Sequence, residues 1–286
     1  MTFTETLQTK KFIVTAELFP PKGTNLKPLL EKAELLRGRI DGFNVTDNQR
    51  AVMRLGSLAI CSILQKQGLE PIMQMTCRDR NRIALESDLL SAAALGIENI
   101  LILSGDHPSQ GDHKEAKVVY DLDPVQLLKT ARTLETGVDL AGKKLDGSPK
   151  FCLGAVVNPM AEQLDLQLAM VEKKIEAGAQ FFQTQPVFEK KLLELFLCKT
   201  KDLPVKFLIG VFLLKNSQIA MFMKEKLGIN IPDEYIKRLA TAASPLDEGI
   251  KIAAELISAM KPQVQGVHIM ALGLEEHIPE ILNKVK

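Results

Sequence analysis

The sequence predicts a single α/β domain over residues 1–286, a closed (β/α)8 TIM barrel, and three observations predict it. Apolar runs of strand length alternate with amphipathic helical stretches along the whole chain. Eight such runs can be counted, and most break at their C-terminal ends into polar, Gly or Pro residues, where a barrel presents its reactive groups. The 286 residues show no break in composition, and that length is ordinary for one barrel. An open doubly wound sheet would place a Gly-rich phosphate turn after the first strand. Pro20-Pro21-Lys22-Gly23 stands there instead, and no P-loop occurs.

The first run, Phe12 to Leu18, carries one carboxylate, Glu17, near its end and is stopped by Pro20, Pro21 and Gly23. A helix is expected from about Leu26 to Arg37, burying Leu29, Leu30, Ala33, Leu35 and Leu36. The second strand, Gly42 to Asp47, ends in polar residues, and the next helix is expected over about Ala51 to Gln67. The third strand, Pro71 to Cys77, runs into the polar loop Arg78-Asp79-Arg80-Asn81, then a helix from about Ile83 to Leu95. The fourth, Asn99 to Ser104, is nearly all apolar, as a strand covered on both faces should be. It breaks at Gly105-Asp106-His107-Pro108.

A helix near Pro124 to Thr136 is flanked by two polar segments too long for simple connectors. The first, 107–122, is expected over the reactive face and the second, 140–150, at the opposite end. The fifth strand, Phe151 to Val157, ends at Asn158-Pro159. Its helix, patterned by Leu164, Leu168, Val171 and Ile175, closes at Gly178. The sixth strand is Phe181 to Gln185 and the seventh Val205 to Phe212. Helices are expected over 217–227, 233–242 and 245–260, then the eighth strand, Gly266 to Ala271, and a closing helix over 275–283.

Composition excludes several classes. Hydrophobic content of 46% supplies a large core, and a formal net charge of +1 gives no bulk attraction to nucleic acid or an acidic membrane. No run is long enough to span a membrane, and the N-terminus lacks a signal-peptide layout, so a cytoplasmic protein is expected. Cys61, Cys77, Cys152 and Cys198 are scattered, without CxxC, and read as reduced thiols. Cys77, beside a strand end, reads as a buried structural thiol, with pocket lining as the alternative. The four histidines show no ligand spacing, so no metal site is expected.

The strand tips collect Glu17, Thr46, Asp47, Gln74, Thr76, Ser104, Gly105, Asp106, Asn158, Gln183, Gln185 and Phe212. Three carboxylates come from different strands, among neutral amides and hydroxyls, with no Ser/His/Asp or Cys/His grouping. Such a set suits a polar planar heterocycle, its ring edges read by amides and one acid serving as proton donor. Taken singly, Thr46, Asp47 or Asn158 reads better as a cap or turn residue. Their recurrence at successive tips carries the functional reading.

The order of these pieces resembles the 5,10-methylenetetrahydrofolate reductase family. The matching segments are Ala16-Glu17-Leu18-Phe19-Pro20-Pro21, Asn44-Val45-Thr46, Met75-Thr76-Cys77, Leu103-Ser104-Gly105-Asp106, Lys173 to Ala179, Thr184-Gln185 and the strand end at Gly210. The resemblance implies flavin-dependent reduction of 5,10-methylenetetrahydrofolate to 5-methyltetrahydrofolate, in one-carbon metabolism and methionine biosynthesis. It implies that Glu17 protonates the folate nitrogen as the five-membered ring opens, and that Asp106 works beside the flavin and touches the pterin. It places Gln185 and Phe212 on the folate. It places Thr46, Gln74, Leu103, Ser104, Gly105, Asp106, Asn158, Lys174 and Ala179 on the cofactor, FAD, with FMN as the alternative.

The chain departs from the family pattern at Ser104, Gln74, Gly154, Asn158, Gln167 and Met170, which the resemblance would place along the flavin. It departs again at Met223, beside Phe222, in the nicotinamide platform. The resemblance is to the branch that works with an iron–sulfur electron-transfer subunit, so the expected donor is NAD(P)H or such a partner, in an oligomer. Two other readings stand beside this one: a folate-binding barrel subunit active only with its partner, and a flavin-independent one-carbon transferase.

Overall fold

The computed structural model describes all of residues 1–286. Eight strands, β1 (Ile13–Leu18), β2 (Gly42–Val45), β3 (Pro71–Thr76), β4 (Asn99–Leu103), β5 (Cys152–Val157), β6 (Phe181–Pro186), β7 (Lys206–Phe212) and β8 (Gly266–Met270), form the sheet. They pair in parallel in chain order, and β8 closes on β1, with Ile13 opposite Gly266 and Ala16 opposite Ile269. Eleven helices accompany them: α1 (Phe3–Thr9), α2 (Lys27–Leu36), α3 (Ser57–Lys66), α4 (Arg82–Ala94), α5 (Pro124–Glu135), α6 (Leu164–Glu176), α7 (Lys190–Thr200), α8 (Ser217–Leu227), α9 (Asp233–Thr241), α10 (Pro245–Met260) and α11 (Ile278–Lys284). The closed parallel barrel is the expected fold.

The main core lies between the strands and the outer helices. A second, smaller one fills the lower barrel: Phe3, Leu7, Ile13, Ile72, Phe181 and Leu208 pack together near the strands' N-terminal ends. The helix that supplies Phe3 and Leu7, α1, was not expected. A capping box starts it: Thr2 Oγ1 accepts from Glu5 N at 3.2 Å, and Glu5 Oε2 accepts from Thr2 N at 2.8 Å. Phe3 is fully buried and meets the Phe181 ring edge-on at 5.3 Å, so α1 plugs the bottom of the barrel.

Gly154 makes room for this layer. A Cβ there would lie 2.3 Å from the Phe181 ring. The position expected along the flavin therefore faces Phe181 in the lower barrel, and Val156, two residues on, takes the place at the cavity wall.

Two further helices depart from expectation. The second amphipathic segment was expected to be helical from Ala51, yet α3 begins at Ser57. Asn48, Arg50 and Ala51 take left-handed backbone conformations instead (φ 47°, 57° and 54°). The loop is held in place by tertiary bonds: Arg54 N to Asn48 Oδ1 (2.9 Å), Leu55 N to Pro21 O (2.9 Å) and Arg54 to Pro20 O (3.1 Å). α7 was not assigned, although Leu193, Phe196 and Thr200 give it a buried face at helical spacing.

The two long segments fall at opposite ends, as expected. Residues 107–122 lie across the C-terminal face. There Asp112 ion-pairs with Lys22, Val119 N donates to Arg78 O (2.8 Å), and the Tyr120 hydroxyl donates to Gly105 O (3.1 Å). Residues 145–150 pack beside Leu90, Ala93 and Glu98, near the start of β4.

Candidate active site

A cavity of about 380 Å³ opens at the C-terminal ends of the strands. The pleat explains its lining. Side chains two apart on a strand share a face, so Gln74 and Thr76, Leu101 and Leu103, Gln183 and Gln185, and His268 and Met270 all reach it in pairs. Leu101 belongs also to the lower apolar layer and marks the floor. An apolar wall comes from Phe212 and, across the loop, from Ile219, Phe222, Met223 and Leu227 on α8.

Glu17 lies on β1, paired with Asn44 on β2, and is 5% exposed. Its Oε2 is buried without a hydrogen-bond partner. Its Oε1 lies 3.8 Å from Nε2 of His268. Below it a buried polar network crosses the barrel. His268 Nδ1 meets Thr15 Oγ1 at 3.0 Å, Gln183 Nε2 donates to Thr15 Oγ1 at 3.5 Å, and Asn44 Nδ2 donates to Gln183 Oε1 at 2.6 Å.

Asp106 lines the cavity at the tip of β4, and its Oδ2 accepts from the backbone N–H of Arg50 at 2.9 Å. Gly105 before it is left-handed (φ +84°), and a Cβ there would press on Thr76 at 3.0 Å, so this turn favours glycine. Arg78 lies beneath the turn, 2% exposed. Its guanidinium donates to Asp106 O (3.1 Å) and Asn48 O (3.3 Å) and pairs with Asp79 (2.7 Å). Asp47 accepts from Thr76 N (2.8 Å) and Thr76 Oγ1 (3.0 Å) and ion-pairs with Arg80, which also pairs with Asp88 at 3.0 Å. Asp47 also lines the cavity, but its Oδ2 is taken up by these bonds, so it ties strand tips together.

At β6 the register against β7 shifts between Gln183 and Pro186. Thr184 Oγ1 fills the irregularity, accepting from Gly210 N (2.8 Å) and donating to Gln185 O (2.8 Å). Such bulges re-aim side chains, and here Gln185 projects exposed into the cavity mouth.

Of the residues singled out in the sequence, the structure brings together Glu17, Asp47, Gln74, Thr76, Leu103, Gly105, Asp106, Gln183, Gln185 and Phe212 around one cavity. It does not bring the rest there. Thr46 is fully buried beside it, with an unpartnered Oγ1. Ser104 is exposed outside it. Asn158 caps its own turn, Oδ1 accepting from Met160 N at 3.0 Å. Lys174 donates to Val156 O at 2.6 Å, and burial pushes its ammonium pKa down. Ala179 precedes β6, at the barrel's other end, beside Thr4, Leu7 and Arg132. The polar partners His268, Arg78 and Arg50 were missed, whereas Gln183 was among the strand tips singled out. His268 and Thr15 stand 253 positions apart, and no local pattern pairs them.

Cys61, Cys77 and Cys152 are buried, and none lines the cavity. Burial pushes the Cys77 thiol up to about 12 and the Cys152 thiol to about 11. No cluster of three or more His, Cys, Asp or Glu side chains is placed to hold a metal ion, and no helix is long and apolar enough to cross a membrane.

A closed parallel eight-stranded barrel with a cavity at the C-terminal ends of its strands defines a (β/α)8 protein with its candidate site where this fold presents one. The methylenetetrahydrofolate reductase family model matches residues 2–286, and the chain belongs to that family. Methylenetetrahydrofolate reductase 2 of Schizosaccharomyces pombe is 25% identical over 93% of this chain and 44% of its own length. The 5,10-methylenetetrahydrofolate reductase of Pectobacterium carotovorum is 24% identical over 77% of this chain and 70% of its own. The chain thus spans less than half the length of some of these relatives. A solved Clostridium thermocellum protein, described as binding two copies of 5-methyl-5,6,7,8-tetrahydrofolic acid, superposes with a TM-score of 0.68 at 17% identity, covering 99% of this chain and 98% of that one. At that identity it shows the shared fold.

Proposed function

We propose that the chain reduces 5,10-methylenetetrahydrofolate to 5-methyltetrahydrofolate with a flavin. The observation that carries this is Glu17, a buried carboxyl with an unpartnered oxygen in a cavity that amides and apolar side chains line together with a few charged groups. Such a carboxyl is suited to hand one proton to a ligand nitrogen. Glu17 protonates the folate nitrogen as the five-membered ring opens to an iminium ion. Gln185, at the mouth, hydrogen-bonds the pterin edge, and Phe212 packs on its face. Asp106, held at the turn by Arg78 and Arg50, presents its carboxylate beside them. The folate-bound neighbour of the same fold supports a cavity of this type as a folate site.

The residues present suit a flavin ring. Gln49 Oε1, in the cavity lining, is a buried acceptor without a partner, and Thr46 Oγ1, buried beside the cavity, is an unpartnered donor or acceptor. Gln74, Leu103, Gly105 and Asp106 would hold the ring. Lys174 and Asn158, already bonded to backbone, would have to exchange those bonds to hold the rest. When bound, the flavin supplies the hydride that reduces the one-carbon unit. Phe212, Phe222 and Met223 give the cavity an apolar side against which the reacting carbon would lie.

The experiment is turnover by the purified chain. It is assayed with methylenetetrahydrofolate and NADH, then with a chemically reduced flavin as donor, and 5-methyltetrahydrofolate is quantified by mass spectrometry. A flavin spectrum with turnover supports the reading. Turnover only with the artificial donor points to a partner protein as the electron source. Folate binding without any reduction overturns the enzyme reading.

A further inference from the structure

We propose that His268 is a positioning residue for Glu17, fixing which carboxyl oxygen holds the proton. This rests on the functional reading above for its consequence, but not for its geometry.

The network under the cavity sets the imidazole. Asn44 Nδ2 donates to Gln183 Oε1 at 2.6 Å, which turns the Gln183 amide so that Nε2 faces Thr15. Thr15 Oγ1 then accepts from Gln183, and its hydroxyl hydrogen is free to go to His268 Nδ1, 3.0 Å away. A ring that accepts at Nδ1 carries its proton at Nε2. Nε2 lies 3.8 Å from Glu17 Oε1, longer than a hydrogen bond and short enough to close when a ligand presses on the carboxyl.

The two oxygens of Glu17 are thereby made unequal. Oε1 faces a donor, so it acts as the acceptor oxygen. Oε2 has no partner in the protein, so it carries the proton when Glu17 is an acid. His268 is 3% exposed and Thr15 fully buried, so water does not randomise the arrangement. The whole device sits on β1, β2, β6 and β8 and is thus anchored by rigid strands.

The test has two arms, both on the full chain. In 15N-histidine-labelled protein, the His268 ring should show a protonated Nε2 and a bare Nδ1, and Thr15→Val should let both tautomers appear. A His268 ring protonated at Nδ1 in the unmodified chain would overturn the proposal, whatever reaction the protein performs. In the second arm His268→Gln and His268→Asn are compared. The longer Gln amide reaches the Nε2 position and the Asn amide does not. The Asn variant should lose about 10- to 100-fold in kcat at little-changed KM, with Gln recovering most of it. Equal kcat in the two, with both folded by circular dichroism, shows His268 merely fills space and also overturns it. If the unmodified chain turns over no methylenetetrahydrofolate, the functional reading fails, while the tautomer arm still decides where the proton sits.

Discussion

The carboxylate of Asp106 accepts the backbone N–H of Arg50 at 2.9 Å, which ties the tip of β4 to the left-handed loop after β2. One side chain thus both faces the cavity and holds part of its rim. Asp106→Asn keeps an acceptor and removes the charge, whereas Asp106→Ala removes both. The tie is exposed and stabilises the loop by about 1 kcal/mol. Trypsin should cut after Arg50 or Arg54 faster in the Ala variant, and at the normal rate in the Asn variant. Folate affinity should fall in both. Equal proteolysis of all three would show that the tie does not hold the loop.

Glu17→Gln should lower folate reduction by about 10²- to 10⁴-fold, the usual worth of a general acid, while flavin reduction by its donor continues. Stopped-flow absorbance separates the two half-reactions. Normal folate turnover in this variant removes Glu17 from its assigned role.

Gly154→Ala should destabilise the barrel by about 1–3 kcal/mol, because the new methyl meets a ring that cannot retreat from α1. Urea midpoints measure this. Phe181→Leu in the same chain should recover part of the loss, since the two changes touch.

Cys77 and Cys152 give the stability an alkaline limb. Their folded-state thiols titrate near 12 and 11, above the ordinary value of about 8.5. A raised value means the folded state holds its proton longer than the unfolded one. Stability is complete below about pH 8.5 and falls as pH rises toward the folded values, by at most about 1.4 kcal/mol per pH unit and thiol. Urea unfolding at pH 7.5 and 10 should show the fall, and Cys77→Ala should make it shallower.

The strands and their polar tips were legible because a barrel strand is short, local and stopped by Gly or Pro. Glu17, Asp106 and Gln185 could be placed at one cavity for that reason. The capping box of α1 and the spacing of Leu193 and Phe196 in α7 were equally local signals, and they went unread. The late start of α3 was different. Its first turn is overridden by bonds to Pro20, Pro21 and Asp106, which no helical pattern records. His268 belongs to the same class, since its partners come from strands at the other end of the chain. Ala179 and Gly154 sit in matching segments or positions, yet side-chain direction and strand end put them away from the cavity.

The plug formed by α1 has a consequence for traffic. With Phe3 seated on Phe181, the tube has no rear exit. Whatever goes in past Gln185 must come out past Gln185, last in and first out. Two molecules that need the same floor have to queue, and the order of departure is set by the architecture before any chemistry begins.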